Sequence, residues 1–195
     1  SLGEIKYPKS TNTIVKNDFV HRIDTVSAMI SFSLWAAKNS TPVQFIDYYF
    51  DKTGSQRRND EDTPLHSKTR IDIAQPSQDI LNKFIDPDVI FSCNISGEYK
   101  LFVLEIANGR DTGRIIKQIR QNLYAAYQGY IGQKYNYDKT PRILVAIEHE
   151  STFNALLASL KCDPYIAKFE YLEQFLFLGL QAQIFEHWDN WVNID

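Results

Sequence analysis

From Asn17 to about Ala37, apolar side chains recur every three or four residues at Phe19, Ile23, Val26, Ile30 and Leu34, the spacing of an amphipathic helix. Asn17, His21 and Asp24 fall together on the other face. Thr41-Pro42 ends the pattern, because a residue before proline is pushed out of helical geometry. Val43 to Phe50 then predicts a strand with a buried centre, being β-branched and aromatic with only Gln44 and Asp47 polar. Asp51 to Arg70 has no hydrophobic period; Gly54, the run from Gln56 to Asn59, a mixed-charge stretch and Pro64 predict a mobile loop.

Ile71 to Ile85 is ambiguous. Val89 to Cys93 and Tyr99 to Ile106 are short apolar runs flanking Asn94-Ile95-Ser96-Gly97-Glu98, which predicts two antiparallel strands joined by a tight turn. Asn108 to Thr112 turns the chain again. Asp111 or Thr112 can cap a helix carrying Ile115, Ile119, Leu123, Tyr127 and Ile131. Arg142 to Ile147 predicts a further strand, Ser151 to Leu160 a helix with Phe153, Leu156, Leu157 and Leu160 on its apolar side, and Phe175 to Leu178 a last strand. The tail from Ile184 to Trp188, with Trp191, is expected to be helical and packed. This order implies one α/β domain over residues 1–195, a mixed sheet with helices on both faces.

Composition changes this picture little. The chain has 195 residues, long enough to bury a core, and a 13% aromatic content argues against disorder. A net charge of -3 gives no global attraction to nucleic acid, so any such binding requires a local basic surface. Cys93 and Cys162 have neither metal spacing nor the numbers of a disulfide framework, and neither a signal peptide nor a long apolar span appears. A cytoplasmic, membrane-free setting is the expectation, which makes the sequons at Asn39 and Asn94 chance matches. The chain opens on Ser1-Leu2, not on Met, so an excised domain, a processed product and an artificial N-terminus are all open expectations.

Candidate chemistry gathers between Asp88 and Tyr124. Asp88 begins one strand of the hairpin and Glu105 ends the next, so antiparallel pairing brings both carboxylates to one end of the sheet. Such a pair suits Mg²⁺ or Mn²⁺, which take oxygen ligands and promote phosphodiester cleavage. The competing reading is that Asp88 merely starts a strand after Pro87 and that Glu105 is solvated. Arg110, Arg114, Lys117 and Gln121 sit three or four residues apart on the next helix, either as a solvated face or as a phosphate-binding one. Arg57, Arg58, Lys68 and Arg70 could add a basic flap, offset by Asp60, Glu61 and Asp62. His21 and Asp24 are accessory candidates if their helix packs beside the hairpin. Tyr124, Tyr127 and Tyr130 read as packing residues in preference to nucleophiles, and His149 between Glu148 and Glu150 as a charged strand end. Gly-rich phosphate loops, Cys-His zinc spacing and Gly-x-Ser-x-Gly elbows are all absent, which disfavours nucleotide and serine-type hydrolysis.

Helix, strand, Pro-Asp strand, strand ending in Glu, helix and strand is an order similar to the core of PD-(D/E)xK nucleases. More narrowly, the chain resembles the replication-relaxation proteins of plasmids and mobile elements. The resemblance rests on Asn17 to His21, Asp86 to Phe91, Phe102 to Gly109 and Lys117 to Tyr124, and spans roughly Asn17 to Leu160. It implies a restriction-endonuclease-like fold and a DNA-binding or DNA-processing role at a plasmid or mobile-element origin, alongside other replication proteins. Asp88 and Glu105 would hold the metal, and an upstream winged-helix segment would belong to the same protein. One position departs from the pattern: Ala107 stands where such nucleases carry Lys and replication-relaxation proteins commonly carry Asp. Lys117 would have to replace the missing cation, and Asn108 would offer a weak oxygen ligand. Metal-dependent nicking with Asp88, Glu105 and Lys117 as catalytic residues is therefore one expectation. A catalytically inactive module for DNA binding or protein docking is the second, and a partner-binding accessory protein of coincidental fold is the third.

Overall fold

The computed structural model describes residues 16–54, 65–77, 80 and 82–193. The elements are α1 (Lys16–Lys38), β1 (Val43–Tyr48), β2 (Lys52–Thr53), β3 (His66–Ser67), β4 (Ile71–Asp72), β5 (Phe84–Ile85), β6 (Val89–Ile95), β7 (Glu98–Ala107), α2 (Thr112–Tyr127), α3 (Tyr130–Tyr135), β8 (Arg142–Ile147), α4 (Glu150–Lys161), β9 (Leu176–Leu180), α5 (Gln181–Glu186) and β10 (Val192–Asn193). Two short 3-10 turns, Ile166–Lys168 and Leu172–Gln174, link α4 to β9.

A six-stranded mixed sheet in the order β1-β6-β7-β8-β9-β10 organises the molecule. β1, β6 and β7 form an antiparallel meander. β8 and β9 then add in parallel, each reached through a helical crossover, and β10 closes the edge antiparallel to β9. The β6–β7 turn is fixed by Ser96 and Gly97, both at positive φ, as a two-residue hairpin turn demands.

Alternation along the strands sorts the core into two layers. Leu101, Val103 and Ala107 of β7 face α2, α3 and α4, together with Ile90, Ile143, Val145, Ile115, Ile119, Leu156 and Leu160. Phe102, Leu104 and Ile106 face the opposite side with Phe91, Leu144, Phe32, Ile184 and Trp188, under α1 and α5. Both sheet faces are covered, as expected of a sheet with parallel crossovers.

Several predicted elements differ from those observed. The helix expected to run through Ile131 breaks at Gln128–Gly129, where Gly129 takes a positive φ, and α3 starts anew. Gly132 of α3 lies so close to the chain that a Cβ there would stand 2.3 Å from the carbonyl oxygen of Tyr137. Gly132→Ala should therefore destabilise the domain by about 1–3 kcal/mol through overpacking. A lowered urea midpoint with an unchanged m-value is the expected readout. Ile71 to Ile85 resolves into the β4–β5 ladder, and β2 pairs with β3 inside the segment read as loop. Of β1, Asp47 is the buried residue, while Val43 and Gln44 are exposed. The tail helix stops at Glu186, and the chain returns as β10.

The largest departure is in α1. An amphipathic helix ordinarily turns its apolar stripe inward, yet Phe19, Ile23, Val26, Ile30 and Leu34 are all exposed. Thr25, Ala28, Met29, Phe32 and Ala36 pack instead, and the Ser31 hydroxyl donates to the Ile184 carbonyl at 2.6 Å. The helix is apolar on two opposite sides, and the periodicity marks the side that the fold leaves open.

Candidate functional site

The hairpin register pairs Val89 with Leu104, so Asp88 lies next to Glu105 at one end of the sheet. Both are buried, Asp88 at 6% and Glu105 at 3% exposure, which removes the reading of Glu105 as a solvated strand end. Asp88 is held at both oxygens: Oδ2 accepts from the Ile106 backbone N–H at 2.7 Å, and Oδ1 lies 2.8 Å from His21 Nε2. His21 reaches it because this side of α1 packs inward. Glu105 is clamped by two amides of α2, with Asn122 Nδ2 donating to Oε1 at 2.6 Å and Gln118 Nε2 donating to Oε2.

Two buried carboxyls side by side cannot both ionise cheaply. Burial first, and then the neighbouring Asp88 charge, push the Glu105 pKa well above the usual carboxylate range, against the opposing pull of the Asn122 and Gln118 donors. His21 is pulled down by burial, but its hydrogen bond and charge contact with Asp88 outweigh this and raise its pKa. Both shifts therefore favour the protonated forms, a neutral Glu105 carboxyl and a cationic His21 hydrogen-bonded to Asp88.

Two clefts open on the pair. One, of about 600 Å³, is lined by His21, Asp88, Asn108, Arg114, Gln118 and Glu148. The other, of about 290 Å³, is lined by Asp86, Glu105, Arg114, Lys117, Gln121 and Asn122. Arg114 and Gln118 belong to both, so the first turns of α2 form the ridge between them. That helix starts where it does because the Asp111 carboxylate caps it, accepting from the Arg114 N–H at 2.9 Å.

The other predicted residues separate. Lys117 is exposed and lines the smaller cleft, but Gln118, one residue on, is the α2 side chain that bonds Glu105. Gln121, expected on an outer face with Arg110 and Arg114, is buried and lines the same cleft. Asn108 is not a free ligand: its amide donates to Asp24 at 2.8 Å and accepts from Gln181 at 2.8 Å, which ties α1 to α5. Ala107 sits on the Glu105 face two residues on, where strand alternation would aim a lysine, and is packed in the core. Lys68 pairs with Asp47 and Arg70 with Asp72, while Arg57 and Arg58 lie outside the described residues. The hydroxyls of Tyr124 and Tyr127 donate to backbone carbonyls, and that of Tyr130 accepts from a backbone N–H, consistent with packing roles.

Gln118 and Asn122 escaped the sequence reading. Their only signal was a pair of amides four residues apart next to the apolar positions of α2, which is legible as a site only once Glu105 is known to point at that helix.

Among the described residues no group of three or more His, Cys, Asp or Glu side chains is arranged to hold a metal ion. The groups that could hold a cation are oxygen donors: the Asp88 and Glu105 carboxylates, and the Oδ1 of Asn122, which is buried without a hydrogen-bond partner while its Nδ2 bonds Glu105. One or two carboxylates completed by water and substrate phosphate is the coordination that Mg²⁺ accepts.

Compared with known proteins, the chain matches no family model, no curated protein and no solved structure. Among the described residues no helix is long and apolar enough to cross a membrane.

Proposed function

We propose that this chain is a DNA-processing domain of restriction-endonuclease-like fold, of the replication-relaxation kind found on plasmids and mobile elements. In this reading Asp88 and Glu105 hold a single divalent cation against a DNA phosphate. The observation that carries it is the buried acidic pair beside two clefts that share Arg114, with Lys117 on the wall of one. When bound, the cation supplies activated water and neutralises charge on the phosphate.

The chain's own residues supply orientation and charge. His21 and the Ile106 N–H fix Asp88, and Gln118 and Asn122 fix Glu105. Arg114 and Lys117 neutralise the phosphate backbone without reading bases. Because Glu105 must lose its proton to accept a cation, metal affinity rises with pH.

A second reading, a nuclease-fold module that binds DNA without cutting it, is favoured by one observation. Ala107 fills with core packing the position from which a lysine would reach the phosphate. Supercoiled plasmid incubated with Mg²⁺ or Mn²⁺ separates the two. Nicking by the wild type, reduced by about a hundredfold or more in Asp88→Ala and Glu105→Ala, is expected for the first reading. DNA binding without nicking supports the second, and nicking that survives both substitutions overturns the proposed site. Under either reading, Arg114→Ala with Lys117→Ala should weaken DNA binding and lower the slope of log affinity against log salt by about 2.

A further inference from the structure

We infer that the open face of α1 is a homodimer interface, along which two copies of this chain pair their α1 helices antiparallel about a twofold axis near Val26. The inference is independent of the acidic pair and its chemistry.

Phe19, Ile23, Val26 and Ile30 follow one another at intervals of four, three and four residues, the alternation that keeps a seam facing a partner helix. Leu34 continues the stripe by a further turn. These five side chains are between 39% and 68% exposed. The opposite side of the helix is the one the fold uses, with Ala28, Met29, Phe32 and Ala36 buried. A helix that is apolar on both sides belongs between two layers, and among the described residues only one side of α1 is covered.

Three features favour a second copy as the other layer. The first is area. These five side chains leave roughly 500 Å² of apolar surface open, in the range of the largest patch a monomer carries. Two such faces together bury at most roughly 1,000 Å², the lower limit of a specific interface.

The second is self-complementarity, which a twofold interface requires. Turning the helix about a point beside Val26 places Phe19 opposite Leu34 and Ile23 opposite Ile30, and brings Val26 next to its own copy. Large side chains meet large ones along the whole stripe.

The third is charge. No charged residue occurs from Thr25 to Ala37, so the half of the seam that carries Val26, Ile30 and Leu34 buries no charge. The first turn carries Asp18 and the last turn carries Lys38. Asp18 lines the cleft beside His21 and Asp88 and so lies off the seam; the orientation rests on the helix dipoles, which antiparallel pairing opposes and parallel pairing aligns.

Sedimentation of the intact chain across a micromolar concentration series tests the proposal. The wild type should sediment as a dimer, and Ile30→Glu with Leu34→Glu as a monomer of unchanged circular dichroism, with self-affinity weakened about a hundredfold or more. Cross-linking tests the geometry independently, in a Cys162→Ser background that removes the exposed native thiol. Val26→Cys should yield a covalent dimer on mild oxidation and Phe19→Cys should not. A wild type that stays monomeric at every concentration overturns the inference and leaves the face to another segment or another protein. A dimer that survives Ile30→Glu with Leu34→Glu overturns the assignment to α1. Efficient self-cross-linking of Phe19→Cys overturns the antiparallel arrangement.

Discussion

Replacing Asp163 with alanine should cost the domain about 3 kcal/mol, a large share of the 5–15 kcal/mol typical of a domain. Its carboxylate is almost fully buried where α4 gives way to the first 3-10 turn, and it accepts four hydrogen bonds. Arg120 of α2 supplies two, from Nε at 3.0 Å and Nη2 at 2.6 Å. The backbone N–H groups of Tyr165 and Ile166 supply the others, at 2.9 and 3.2 Å. Burial pushes the Asp163 pKa up, but the Arg120 hydrogen bond and the two backbone donors outweigh it and hold the acid below its ordinary range. Alanine would leave two buried N–H groups unpaired and an Arg120 without its counter-charge. Because the Arg120 side chain is 35% exposed, water would recover part of that loss. A drop in Tm of roughly 6–12 °C follows for a chain of this size. Asp163→Asn keeps an acceptor for the turn and loses the charge, so its drop should be less than half as large. Calorimetry on the two variants separates the turn-capping part from the ion pair, and equal losses would show that the cap contributes nothing.

Without divalent cation, stability should fall as pH rises from about 5 to 8, the reverse of what salt-bridged carboxylates produce. The sign follows from proton counting. Glu105 is raised in the folded state, so between its unfolded pKa near 4.5 and its higher folded value the native chain binds the extra proton and stability declines with pH. His21 is raised as well, so its contribution is complete below about 6.5 and is lost as pH climbs through its folded pKa. Asp163 and Glu98 act the other way, Glu98 being held down to about 2 by hydrogen bonds from Lys100 and Lys139, and both lose stability only in strong acid. The maximum therefore lies in mild acid.

Glu105→Gln should flatten the decline and raise Tm at pH 8, because the new amide is neutral in both states. It can be accommodated: Asn122 has an unpartnered Oδ1 and can turn its amide to accept from it. Thermal unfolding in chelator at several pH values gives the measurement. A wild-type Tm that rises steadily from pH 5 to 8, or a variant as pH-dependent as the wild type, would show that the acidic pair does not share a proton. Mg²⁺ should stabilise the wild type at pH 8, where Glu105 gives up its proton more easily, and much less at pH 5.

Much of this was legible in the chain because it depends on neighbours in sequence. Ser96-Gly97 had to turn, the runs on either side had to be strands, and a one-residue slip would have moved every side chain to the wrong face. The meeting of Asp88 with Glu105 followed from that hairpin alone. The helix cap was legible as Asp111 or Thr112, and the structure assigns it to Asp111. Periodicity was less reliable where two answers share one period. α1 repeats apolar residues on two sides, and the spacing of Phe19, Ile23, Val26, Ile30 and Leu34 gives a face but no direction.

What remained hidden depends on contacts distant in sequence. His21 lies 67 residues from Asp88, and Asn108 lies 73 from Gln181. Gln118 and Asn122 became a clamp only because the helix between β7 and β8 settles on the Glu105 face of the sheet. By itself, the sequence determined the long central strands, the β6–β7 turn and the pairing of two acids, since hydrogen-bond register and side-chain alternation are local rules; the short β2, β3, β4, β5 and β10 carry too few residues to show a period. The tertiary structure decided how deeply those acids are buried, which groups hold them and which side of α1 is left open, since burial depends on what the rest of the chain brings against each surface.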